Sequence, residues 1–204
     1  WYRTNCLSVV NISNALINKR YLKKYISLST PEVYGSSNKA LVENNNYNPS
    51  TPYAASKLAG DLHLLTLYKK YRFPVVFSRS SNVYGPYQQL YRIIPRTIIY
   101  LKMNKKIILH GKGLTKRQFI HISDVVNGIV KIIERGNIGE IYHISPKSNK
   151  ISIYQIVNLI CKKMGENFQS SIKLTSENFG QDASYILNSS KIRKKLNWSE
   201  KENL

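Results

Sequence analysis

Tyr25-Ile26-Ser27-Leu28-Ser29-Thr30-Pro31-Glu32-Val33-Tyr34-Gly35, followed by Tyr53-Ala54-Ala55-Ser56-Lys57, decides how this chain is understood. The opening residues form a short apolar stretch of strand character that ends near Thr30. Asn48-Pro49-Ser50-Thr51-Pro52 is turn-like and stands directly before an amphipathic helix. Strand end, turn and helix start are where α/β folds place their chemistry. Tyr53 and Lys57 lie one helical turn apart, on one face. A phenol titrates near pH ~10, and a neighbouring ammonium favours its phenolate. With the Thr30 hydroxyl completing a proton relay, the trio suits a base acting on a carbinol hydroxyl during a redox step. The bland alternative is chance, because Tyr-x-x-x-Lys is a short pattern and the chain holds 15 tyrosines.

Working outward, the periodicity predicts helices over 7–18, 52–71, 93–102, 123–134, 152–164 and 189–196. Leu62, Leu65 and Tyr68 lie on one face of the second, and Ser123 and Ser152 are candidate caps. Strands are predicted over 25–28, 73–78, 106–109, 117–122 and 140–144. The unbroken Val75-Val76-Phe77 run suits a buried parallel strand. Strand and helix alternate, so the fold class is α/β with a parallel sheet.

A length of 204 residues fits one domain, or one and part of another, and a hydrophobic content of 42% can fill a core. No apolar run reaches the roughly 18 residues of a membrane span, and no signal peptide is visible. Cys6 and Cys161 are far apart in sequence, which fits packing residues in a reducing cytoplasm rather than a disulfide framework. No Cys/His spacing suggests a metal site. The net charge of +20 raises the question of nucleic acid. However, the basic clusters at 19–24, 102–106 and 191–195 are scattered and match no base-reading motif. Nonspecific adhesion at low salt is the expected consequence. An anionic substrate accounts for part of the positive field.

The segments 29–35, 52–57, 81–88 (Ser-Asn-Val-Tyr-Gly-Pro-Tyr-Gln), 93–95, 117–125 and 142–144 occur in an order and spacing that resemble the extended short-chain dehydrogenase/reductases. Within that group they are similar to nucleotide-sugar 4,6-dehydratases of the dTDP-glucose type. The resemblance implies the C-terminal part of a Rossmann-type doubly wound sheet plus a smaller mixed substrate-binding domain. Residues 1–86 are expected to belong to the NAD-binding part and 87–204 mainly to the substrate part, with 118–135 returning to the first. The family's Gly-rich phosphate loop, G-x-x-G-x-x-G, occurs nowhere in the sequence. The chain, which starts at Trp1, is therefore expected to be a C-terminal piece of a longer protein or a gene fragment.

The resemblance also implies roles. Tyr53 takes the sugar 4-hydroxyl proton while hydride leaves C4 for NAD. Lys57 lowers the Tyr53 pKa and bonds the nicotinamide ribose, Thr30 bonds the same hydroxyl, and Glu32 removes the C5 proton. Asn82 faces substrate and nicotinamide, or alternatively caps the strand before it. Arg92, Ile93 and Pro95 run along the nucleotide, His110 lies near its base, and Arg117 grips the diphosphate as a guanidinium can. Glu32 and Arg117 also admit plain surface readings. His143 and Tyr185 complete the substrate set.

Two departures stand out. Pro31 replaces the acid that protonates the departing 6-hydroxyl in glucose-specific dehydratases, and proline offers no proton. Asn178 stands where the family supplies an arginine. The alternatives are a nucleotide-sugar epimerase or UDP-glucuronate decarboxylase on the same scaffold, or an inactive remnant that binds a nucleotide sugar or polyanion. Partners implied are a nucleotide diphospho-sugar and a second copy in a homodimer.

Overall fold

The computed structural model describes residues 1–37, 39–147, 150–176 and 185–204; Asn178 lies outside them. After a π-helical turn at Arg3–Leu7 come α1 (Ser8–Leu16), β1 (Tyr25–Ser29), a 3-10 turn (Pro31–Tyr34) and β2 (Ala40–Leu41). Then follow α2 (Pro52–Tyr71), β3 (Val75–Ser80), β4 (Asn82–Tyr84), α3 (Ile93–Lys102) and β5 (Ile107–Leu109). β6 (Lys116–Arg117), β7 (Phe119–His121), α4 (Ile122–Arg135), β8 (Ile141–Ile144) and β9 (Ile151–Ser152) come next. The chain closes with α5 (Ile153–Met164), α6 (Phe168–Ser171), β10 (Ile172–Leu174), β11 (Ile186–Leu187) and α7 (Ser190–Leu196).

The main sheet has the order β1-β3-β8, and both pairings are parallel. Ser29 stands opposite Arg79, and Arg79 opposite His143. β4 pairs with β7 in parallel at the carboxyl end of this sheet, and β5 pairs with β10 beyond it. The β6–β9 pair is antiparallel, which makes the second region mixed, as expected. One core packs Val76, Tyr142 and Ile144 of the sheet against Val125 and Ile132 of α4 and against Trp198. A second packs Ile107 and Leu109 against Leu101, Val157, Ile160 and Cys161. Cys161 is thus a packing residue, and burial raises its thiol pKa.

The helix ends follow local chemistry. The Thr51 hydroxyl accepts from the Ala54 N–H at 3.1 Å, and Pro52 at the first helical position needs no donor partner. α2 ends at Arg72, whose φ of 59° breaks the helix. Leu64 and Leu67 are buried, Leu65 and Tyr68 pack against the same core, and Leu62 is 42% exposed. α2 is packed by α1 on one side and by β1 and β3 on the other, so apolar spacing alone does not single out one face. The cap of α4 also differs. The backbone turns helical at Ile122, which leaves His121 as the extended cap, with Nδ1 accepting from the Ser123 N–H.

At α5 the expected serine cap is a full capping box. Ser152 Oγ accepts from the Gln155 N–H, and the Gln155 side chain accepts from the Ser152 N–H. Ser152→Ala is expected to cost about 1 kcal/mol, read as a lower urea midpoint at unchanged slope. Among the described residues no helix is long and apolar enough to cross a membrane.

Candidate functional site

The carboxyl ends of β1 and β3, the start of α2 and the β4–β7 pair converge on a cleft of about 780 Å³. Carboxyl ends of parallel strands are the usual binding edge of such sheets. Thr30, Glu32, Tyr53, Asn82, Arg92, Ile93, His110, Arg117 and Tyr185 all line it.

Thr30 leaves β1 in extended conformation, and its hydroxyl accepts from the Glu32 N–H at 3.3 Å, capping the 3-10 turn. That cap places Glu32 beside the first turn of α2. Tyr53, the second residue of α2, hydrogen-bonds with Thr30 through its phenol. Burial raises the Tyr53 pKa most, and the Glu32 charge adds to the rise. Arg92 and the Thr30 hydrogen bond act against both. The direction is opposite to the depression expected from Lys57. That lysine donates to the Leu28 carbonyl at 2.7 Å, and burial lowers its own pKa against the charge of Asp61.

The far wall is a ladder of polar contacts. Arg117 is nearly buried and stacks on the Tyr185 ring at 4.7 Å. Tyr185 donates to Asn82 Oδ1 at 3.3 Å. Asn82 Nδ2 is buried without a hydrogen-bond partner among the described residues, a donor presented to a ligand. Asn82 begins β4, paired opposite Phe119, so the reading of Asn82 as a cap on the preceding strand gives way to a strand residue that lines the cleft. His110 is held by Thr175 at 3.2 Å.

Three expected site residues do not line the cleft. Lys57 sits behind it, against β1. Pro95 falls off the face of α3 that carries Ile93; Arg96, three residues on, takes that place. His143 is fully buried in β8, with Nε2 bonded to the Tyr34 hydroxyl at 2.9 Å. Burial, reinforced by the Arg79 charge, pushes its pKa down to about 3, and its side chain is directed at Tyr34 rather than into the cleft. Arg96, Gln88 and Tyr84 line the cleft without having been expected there. The spacing of Arg96 from Ile93 was the available signal.

Among the described lining residues Glu32 is the one carboxylate, set against Arg92, Arg96 and Arg117. Such a cleft favours an anionic ligand and keeps its single acid beside Tyr53.

The chain is 34% identical over 198 residues to the dTDP-D-glucose 4,6-dehydratase of Mus musculus, covering 93% of this chain and 55% of that protein. It is 32% identical over 198 residues to the dTDP-glucose 4,6-dehydratase of Streptomyces niveus, covering 97% and 58%. A crystal structure of a dTDP-glucose 4,6-dehydratase from Streptomyces venezuelae, with NAD and TYD bound, superposes with a TM-score of 0.94 at 27% identity, covering 100% of this chain and 62% of that one. A UDP-glucuronic acid 4-epimerase from Bacillus cereus, in complex with UDP-glucuronic acid and NAD, gives 0.91 at 27% identity over 98% and 63%. The chain spans little more than half the length of these curated relatives. Residues 1–145 match the NAD dependent epimerase/dehydratase family, a stretch that runs through the strand end, the tyrosine helix and β8. The chain belongs to that family.

Proposed function

We propose that this chain carries the catalytic and sugar-binding part of an NAD-dependent nucleotide-sugar 4,6-dehydratase. The observation that supports it most is Thr30, Glu32 and Tyr53 together at one end of an arginine-lined cleft. In this reading residues 1–86 belong to the cofactor side and 87–204 mainly to the substrate side, with 118–135 returning to the first.

The residues present fit the nicotinamide end of NAD. Asn82 offers an unpartnered donor and Tyr53 lines the cleft, while Lys57 is held on the Leu28 carbonyl behind it. The pyrophosphate end has no Gly-rich loop in this sequence to hold it. Bound there, NAD would supply hydride-accepting chemistry at the sugar C4 and hydride-returning chemistry at C6. Tyr53, assisted by Thr30, takes the 4-hydroxyl proton. The resulting 4-ketone acidifies C5–H, and Glu32 removes that proton. Pro31 has none to give, so Glu32 hands the proton it has gained to the departing 6-hydroxyl, water leaves, and a solvent-derived proton reaches C5 through Glu32 as hydride is returned to C6. Arg117 and Arg92 hold the diphosphate, a task suited to guanidinium.

Glu32→Gln tests this directly in the full-length protein with NAD and a nucleotide hexose. We expect formation of the 4-keto-6-deoxy sugar to fall by about 10²–10⁴-fold, the usual worth of a positioned acid–base group. C5–H exchange with solvent deuterium is expected to fall with it. Undiminished turnover in that variant sinks the dehydratase reading. Pro31 favours one second reading, an epimerase or decarboxylase on the same scaffold. Its mark is a product that keeps the 6-hydroxymethyl, or a pentose.

A further inference from the structure

Behind the cleft lies a charged pair that the proposed chemistry does not touch. Asp61 sits on α2, about one turn beyond Lys57 and two beyond Tyr53, and is 4% exposed. Its carboxylate accepts from Ser29 Oγ at 2.5 Å, from Ser27 Oγ at 3.4 Å and from Arg79 Nη2 at 2.9 Å. Ser29 and Arg79 are opposed across β1 and β3. One carboxylate therefore closes the last rung of that ladder, one residue before Thr30. Arg79 is fully buried beside the stacked rings of Tyr34 and Tyr47, 4.7 and 5.1 Å from their centroids, and Tyr34 ends the turn that carries Glu32. A buried ion pair is costly unless its geometry is well satisfied; here Arg79 Nε and Nη1 lack hydrogen-bond partners among the described residues, while the contacts to Asp61 and Tyr34 run to elements that carry cleft residues.

We propose that Asp61 is a positioning residue, which fixes the Tyr53 helix against the Thr30 strand through Ser29. The inference rests on the base role proposed for Tyr53. Asp61 is faced by Ser27 and Ser29 from β1, by Arg79 from β3 and by Lys57 from its own helix. Its charge also opposes the burial that disfavours the Lys57 ammonium. Position matters because a displacement of about 1 Å at a reacting pair costs up to about 10²-fold in rate.

The test uses the full-length protein and four variants, with kcat and KM for the nucleotide hexose and an NMR titration of the Lys57 side chain. Ser29→Ala keeps the Asp61–Arg79 pair and should fold. It is expected to lower kcat about tenfold with KM within about twofold, a loss smaller than the limit for a 1 Å displacement. Ser29→Thr restores the hydroxyl and should recover most of the rate. Asp61→Asn is expected to move the Lys57 titration to lower pH. Wild-type kcat in Ser29→Ala, or an unmoved Lys57 titration in Asp61→Asn, overturns the proposal. Tyr53→Phe serves as the reference: if it keeps full activity, the base reading fails, whereas a slow Tyr53→Phe beside a wild-type Ser29→Ala overturns the positioning role of Asp61 alone.

Discussion

Tyr53→Phe is expected to lower kcat by about 10³-fold, because it deletes the group proposed to take the hydroxyl proton. The ring stays, so its edge contact with Trp1, at 5.2 Å between centroids, is kept and stability should change little. Substrate affinity should hold within about threefold, since the cleft arginines proposed to hold the diphosphate are untouched. The wild-type pH profile gives a second reading of the same group. Burial first and Glu32 second raise the Tyr53 pKa, so the phenolate forms at higher pH than for a free tyrosine. Activity should therefore climb on the alkaline side. Where turnover remains measurable, Glu32→Gln removes the repelling charge and should shift that limb to lower pH. A Tyr53→Phe enzyme with an unchanged rate and profile contradicts the assignment.

The second large effect is on stability. Arg79→Leu removes the partner of a buried carboxylate and leaves Ser27 and Ser29 as its only close donors among the contacts described above. Breaking a buried pair from one side typically costs about 3–5 kcal/mol, a large share of a total that is about 5–15. Urea unfolding followed by circular dichroism should show this as a lower midpoint. Removing both charges, with Asp61→Leu added, should recover a good part of the loss, because no unpaired charge stays buried. Additive losses in the double variant argue instead that the packing of Tyr34 and Tyr47 on the guanidinium carries the stability.

Why the pair was not legible is instructive. Arg79 follows the apolar run Val75-Val76-Phe77, and a charge after such a run looks like a strand leaving the core. The strand in fact continues to Ser80, with Arg79 buried, because its partner comes from α2. That partner is distant in sequence and no local pattern announces it. The two-residue strands β2 and β11 were missed for the same reason, since each exists only through pairing with the other. His143 shows the converse. The resemblance placed it against the substrate, but in β8 its side chain points to the buried Tyr34. By contrast α2 and α3 were bounded correctly from Pro52 and from the Ile93 run, where cap and periodicity are local signals. The cluster of Thr30, Glu32 and Tyr53 was legible because strand end, turn and helix start lie close together in sequence.

The central claim is that this cleft oxidises a nucleotide hexose at C4 and then eliminates water across C5 and C6. The most direct measurement incubates the full-length protein with NAD and dTDP-glucose in deuterated water and analyses the product by mass spectrometry and NMR. The account predicts a 4-keto-6-deoxy sugar, lighter than the substrate by one water before deuterium is counted, with deuterium at C5. An unchanged sugar, or an epimer that keeps its 6-hydroxyl and carries no deuterium at C5, contradicts it.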